Sequence, residues 1–159
     1  MKTMLVLSMG ALLLAGTLSA QTPVPEWQAG GDKGKNLIQS NPAQASEEAG
    51  ELLKGKNKKN VDLVTSVAHV YLNAGKITEA QEYLAMAKKA NNKDPKVSVL
   101  EGDIALAQKN IGQACQLYEQ AIYFDPNCKE AYLKYAQAYK SASPTQAIEK
   151  LEQLKAVDP

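Results

Sequence analysis

The sequence predicts an all-α chain of stacked helical hairpins, an α-solenoid, on three observations. A block of 34 residues recurs along the chain, the last copy being one residue shorter. Within a block, apolar residues return at helical spacing, as in Val64, Val67, Ala68 and Tyr71, then Ala80, Leu84 and Ala87. Helix-start residues and prolines punctuate the blocks where the helices should begin and stop.

At the N-terminus, Met1 to Ala20 reads as a secretory signal peptide: Lys2, an almost charge-free run from Met4 to Leu18, then small residues. The run is short for a membrane span, which needs about 20 apolar residues. Cleavage is expected after Ala20, or after Ser19, and no cysteine comes after the run to carry a lipid. The expectation is export to the periplasm or outer envelope of a Gram-negative-type cell, or secretion, with no membrane span left after cleavage.

Residues 21–34 hold Pro23, Pro25 and the small stretch Gln28-Ala29-Gly30-Gly31, and are expected to form a flexible lead. Trp27 within it fits two roles equally, a partner anchor or a side chain tucked onto the helical cap. Residues 35–60 read as that cap, a degenerate hairpin packed on the first full repeat. Its first helix, around Lys35–Gln39, carries only Leu37 and Ile38. Its second starts at Asn41-Pro42 and places Ala45, Ala49, Leu52 and Leu53 at helical spacing. The four lysines of Lys54–Asn60 read as a solvated turn.

Three repeats occupy 61–94, 95–128 and 129–159. The first sets Ala68, Tyr71, Gly75, Ala80, Leu84 and Ala87 against Gly102, Ala105, Lys109, Ala114, Tyr118 and Ala121 of the second. The third supplies Ala136, Tyr139, Ala147, Leu151 and Leu154, with one turn residue missing. Two helices approach closely only where side chains are small, so Ala68 with Ala80, and Gly102 with Ala114, mark the crossings. Tyr71, Leu84, Tyr118 and Leu151 are expected to fill the wedge between one hairpin and the next. Asn60, Thr78, Asp94, Asn110, Asn127 and Ser143 are placed to cap helix starts, and Pro95 and Pro144 to open helices. Asp125-Pro126 and Asp158-Pro159 are placed to end them.

This pattern resembles the tetratricopeptide repeat, over about 100 residues and at several coordinated positions per repeat. It departs at Ala105, where the family prefers an aromatic residue, at Leu154, where alanine is usual, and in the late Pro95. The resemblance implies a right-handed superhelix with a concave groove lined by the first helix of each hairpin. It also implies a protein or peptide partner. The matching groove positions include Thr65, His69, Leu72 and Asn73, then Val99, Leu100, Asp103 and Leu106, then Leu133, Lys134 and Gln137. Asp62, Ser66, Lys96, Ala107, Glu130 and Lys140 share the same face. His69, Asp103 and Gln137 occupy one position in successive repeats. A clamp for acidic C-termini would need lysines and asparagines where this chain has Thr65, His69, Leu100 and Glu130, and only Lys134 is suitable. The expected ligand is instead a protein segment with apolar anchors.

Other function classes fare worse. Without the leader about 139 residues remain, enough for one domain. Its lysines, with Lys2 gone, balance its 17 acidic residues, and the chain has no arginine. Such a chain lacks the field and the planar forks of a nucleic-acid binder. One histidine, no Cys-x-x-Cys and no nucleophile or phosphate-loop motif argue against an enzyme, a metal site or a cofactor. Cys115 and Cys128 would sit about 20 Å apart on a helix, too far for a disulfide. A second reading makes the chain a structural module, or the front of a longer array. In it Tyr135, Tyr139, Ile148 and Leu151 of the C-terminal hairpin stay partly uncovered for want of a capping helix and pair with another copy or domain. Which partner is bound is not written in any motif.

Overall fold

A computed structural model describes residues 27–28 and 31–158. The Met1–Ala20 segment, most of the lead and Pro159 lie outside them. Eight helices are described: α1 (Asp32–Ser40), α2 (Pro42–Leu52), α3 (Val61–Asn73), α4 (Ile77–Asn91), α5 (Pro95–Ala107), α6 (Ile111–Phe124), α7 (Lys129–Tyr139) and α8 (Pro144–Val157). They pair as consecutive hairpins, and a 3-10 helix, Gly55–Lys59, joins α2 to α3. Among the described residues there is no strand, and no helix is long and apolar enough to cross a membrane.

The starts show local chemistry at work. Asn41, Asn60, Asp94 and Asn110 each accept a hydrogen bond from a first-turn amide, at Gln44, Leu63, Lys96 and Gln113. Pro42, Pro95 and Pro144 occupy the first helical turn, where a missing N–H costs nothing. Three expected caps differ. Thr78 lies inside α4, and Lys76 takes the cap position. The reason is the turn: Gly75, at φ 77°, reverses the chain so that the Lys76 N–H reaches the Tyr71 carbonyl at 2.9 Å. The second repeat does the same with Lys109 at φ 64° and the Asn110 N–H on the Ala105 carbonyl at 2.9 Å. Cys128, not Asn127, precedes α7, because the Asp125 carboxylate captures the Asn127 amide at 2.9 Å and carries the turn one residue further. Ser143 holds its cap position without a side-chain bond.

The lead is shorter than expected. Asp32–Gly34 belong to α1, and Gly34 is buried there. Trp27 is 2% exposed and stacks on Tyr71, ring centroids 5.9 Å apart, so its role is to seal the first repeat. Two core clusters result. The first joins Trp27, Ile38, Ala45 and Ala49 to α3, α4 and Val97, Leu100 and Ile104 of α5. The second takes Val99 and Ala105 of the same helix, with Tyr118, Ala121, Ala131 and Tyr135. Helix α5 therefore carries one face to each half of the core.

Tyr118 is fully buried in one cluster with Ala131 and Tyr135 of the next hairpin. Its ring lies over Gly102 of its own hairpin, where an added Cβ would meet the ring at 2.5 Å. Glycine at this small-residue position is thus what admits the tyrosine. In the C-terminal hairpin Tyr135 is buried, against expectation, because the Tyr139 ring packs on it at 5.1 Å and Lys150 covers it. Tyr139 is half-buried and Ile148 exposed, as expected. Leu151 is exposed too, so it stays uncovered instead of filling a wedge.

Candidate functional site

The first helices of the hairpins, α3, α5 and α7, line up their polar residues at the repeat spacing. Asp62 on α3 meets Lys96 on α5, Nζ to Oδ1 2.5 Å. His69 Nε2 lies 3.0 Å from Asp103 Oδ2. Both pairs are 34 residues apart, so each joins one repeat to the next at the same register.

Asp103 is the hub. Its Oδ2 also accepts from Lys134 Nζ of α7 at 2.7 Å, and its Oδ1 from the Tyr118 hydroxyl at 2.7 Å. One carboxylate thereby ties three successive hairpins. Its side chain is only 11% exposed. Burial works to raise the Asp103 carboxyl, but hydrogen bonds from His69, Lys134 and Tyr118, with the Lys134 charge, outweigh it and hold the group below its ordinary range. Burial, and then the Asp103 charge, push the Tyr118 hydroxyl far above its ordinary value, so it stays a donor. The other His69 nitrogen, Nδ1, faces the Thr65 carbonyl at 2.9 Å. Both ring nitrogens thus face acceptors, and the tautomer decides which of the two contacts the neutral ring donates to.

Two shallow recesses flank this hub and share His69 and Glu130. One, about 300 Å³, reaches Asp62, Thr65, Ser66, Lys96 and Val99. The other, about 440 Å³, reaches Leu72, Asn73, Asp103, Leu106, Ala107 and Lys134. A third recess of about 400 Å³ lies between α7 and α8 and is lined by Leu133, Ala136, Gln137, Lys140, Pro144, Ala147, Ile148 and Leu151.

The expected groove residues therefore divide. His69, Leu72, Asn73, Asp103, Leu106 and Lys134 gather around one recess, and Leu133 and Gln137 around another. Thr65 and Val99 line the floor of the first recess but are almost wholly buried. The Thr65 hydroxyl is turned inward to the Val61 carbonyl at 2.8 Å. Leu100 is a correction: it is 0% exposed and belongs to the core, so it offers a ligand nothing. The row His69, Asp103, Gln137 also breaks at its third member. Lys134, three residues earlier on α7, takes the contact to Asp103 instead, while Gln137 faces the third recess. Tyr118 and the α8 residues of that recess were not expected at a site. Tyr118 lies on a second helix, and only its long side chain brings its hydroxyl to the groove.

Both cysteines are free thiols. Burial pushes the Cys115 thiol up to about 11, with Glu119 adding to it, which is the wrong direction for a nucleophile. Among the described residues no three His, Cys, Asp or Glu side chains come together as a metal site would need.

Residues 96–128, which run from the start of α5 through α6 and hold both Asp103 and Tyr118, match the family model of the tetratricopeptide repeat. That segment is a tetratricopeptide repeat. The chain's fold is similar to two crystal structures of MamA, each at TM-score 0.57 and 20% identity; one alignment covers 80% of this chain and 70% of that one, the other 79% and 74%. The structure of MamA MSR-1 C2 gives TM-score 0.55 at 16% identity, over 79% of this chain and 73% of that one. At such identities the likeness establishes a shared tetratricopeptide solenoid and nothing about cargo. No curated protein matches the chain.

Proposed function

We propose that this tetratricopeptide array is an exported, non-catalytic scaffold whose concave face holds a protein segment by apolar anchors. One observation carries the reading: the charges at the centre of the groove are already paired to each other. Asp62 with Lys96, and Lys134 with Asp103, spend their charge between repeats, and His69 bonds the same Asp103 carboxylate. Beside these pairs stand apolar side chains open to solvent, with Leu106 36% and Leu133 52% exposed and Leu72 next to them. A segment that places two or three apolar side chains along α5 and α7 matches that surface. The Met1–Ala20 segment supports an envelope or secreted location.

The test is a peptide-display selection on the purified chain, then binding of the selected peptides to a Leu106→Asp, Leu133→Asp double variant. Both positions are exposed, so the fold should survive. Selected peptides should share apolar anchors and lose at least tenfold in affinity for the variant, about 1.4 kcal/mol. Undiminished binding would remove the groove from the reading.

A second reading is favoured by the third recess. Ile148 is 57% and Leu151 43% exposed beside Leu133, which makes the C-terminal hairpin a surface for a further copy. Light scattering should then show a mass that rises with concentration and falls back in Ile148→Asp.

A further inference from the structure

The convex side carries a feature the groove does not use. The 3-10 helix Gly55–Lys59 docks against α4, and Asn57 pins it by donating from Nδ2 to the Leu52 carbonyl at 2.7 Å. Between them lies a recess of about 390 Å³ whose floor is Ala85, Met86 and Ala90 and whose rim is Lys58, Lys59 and Lys89, with Glu82 as its one acid. Six other lysines are tied down: Lys54 to Glu51, Lys88 to Glu101, Lys96 to Asp62, Lys129 to Asp158, Lys134 to Asp103 and Lys150 to Glu119. The three rim lysines take part in no ion pair among the described residues. The rim therefore holds a net positive charge around an apolar floor, on a turn fixed by hydrogen bonds rather than free to swing.

We infer that this recess is a second docking surface, for an acidic protein segment that inserts one apolar side chain between flanking carboxylates. The apolar side chain would cover Ala85, Met86 and Ala90, and the carboxylates would meet Lys58, Lys59 and Lys89. Lysine supplies point charges without the planar fork of arginine, so the surface selects for local acidity rather than for one bidentate group. A membrane of anionic lipid is the other polyanion that lysines attract. It fits less well, because the charges ring a concavity of side-chain size instead of spreading over a plane.

The experiment uses a fluorescein-labelled peptide with a central leucine flanked on each side by two glutamates, titrated with the purified chain and read by anisotropy. Controls exchange the glutamates for glutamines, or the leucine for glycine. Binding is expected at low salt, with about a tenfold loss on raising salt toward 0.2 M, where screening shortens to less than 10 Å. Each control peptide should also lose about tenfold. The Lys58→Glu, Lys59→Glu, Lys89→Glu triple variant should abolish binding, and Ala85→Glu, a single change at an exposed position, should weaken it as well. The Leu106→Asp, Leu133→Asp variant should bind normally, which separates this surface from the groove. Equal binding of the glycine peptide would reduce the surface to diffuse attraction and overturn the inference. So would absence of binding, or sedimentation with phosphatidylglycerol vesicles in place of peptide binding.

Discussion

Asp103 is the residue on which three hairpins depend, and its surroundings set its pH behaviour. A carboxyl held below its ordinary range in the folded chain binds its proton less readily there than when unfolded. It therefore adds stability above the unfolded value, about 4, and that contribution disappears as pH falls through the lower folded value. Asp103→Asn should cost about 2 kcal/mol near neutral pH, since hydrogen bonds to a charged group are the stronger kind. Urea denaturation from pH 7 down to about pH 3 should show the gap between the two chains narrowing below about pH 4. A gap that stays constant over that range would mean the carboxylate charge contributes nothing. The 34-residue register already sets His69 over Asp103, so this contact was legible in the sequence. The shares of Lys134 and Tyr118 were not, because both arrive from off-register positions through long side chains. Leu100 misleads for a related reason. Its position faces the groove only if α5 presents a single apolar face, whereas Val97, Leu100 and Ile104 turn to one core cluster and Val99 and Ala105 to the other.

At the scale of elements, the turns decide where the second helix of each hairpin begins. In the first repeat Gly75 takes the left-handed conformation at no steric cost, and in the second Lys109 takes it with a side chain. Lys109→Gly should therefore stabilise the chain by about 0.5–1 kcal/mol, the relief of left-handed strain less the entropy glycine adds to the unfolded state. Gly75→Ala should destabilise by a similar amount, and the two midpoints in urea should move in opposite directions. The third repeat lacks this residue, and Lys140 leaves α7 in the right-handed region instead. The helices themselves were readable almost throughout, since apolar spacing and Asn, Asp and Pro signals act locally. The caps at Thr78 and Asn127 were misplaced because the deciding bonds, Lys76 to Tyr71 and Asn127 to Asp125, belong to turn geometry rather than to residue preference. One repeat length before Asn110 stands Lys76, so the repeat register was the better guide.

Over the whole molecule, burial is unevenly shared, and a linear array expresses that as uneven stability. Helices α3 and α5 each bury seven residues, whereas α8 buries only Ala147. Each hairpin rests mainly on its neighbours, so its opening free energy tracks its own interfaces. Amide hydrogen exchange should thus release α8 first and α3 and α5 last, with α7 between them. Because α5 lends one face to each core cluster, Leu100→Ala should cost about 3 kcal/mol and lower protection on both sides of it, not in the second repeat alone. The order also bears on recognition. The recess holding Leu133, Ile148 and Leu151 is built on the helix that opens most readily, so whatever seats there must order α8 as it binds. A ligand of that recess should slow exchange in α8 well before it slows exchange in α3, while a ligand of the α3–α5 groove should leave α8 as labile as before. Uniform exchange across all eight helices, at one rate set by global unfolding, would show that the array behaves as a single cooperative block and would dissolve this ordering.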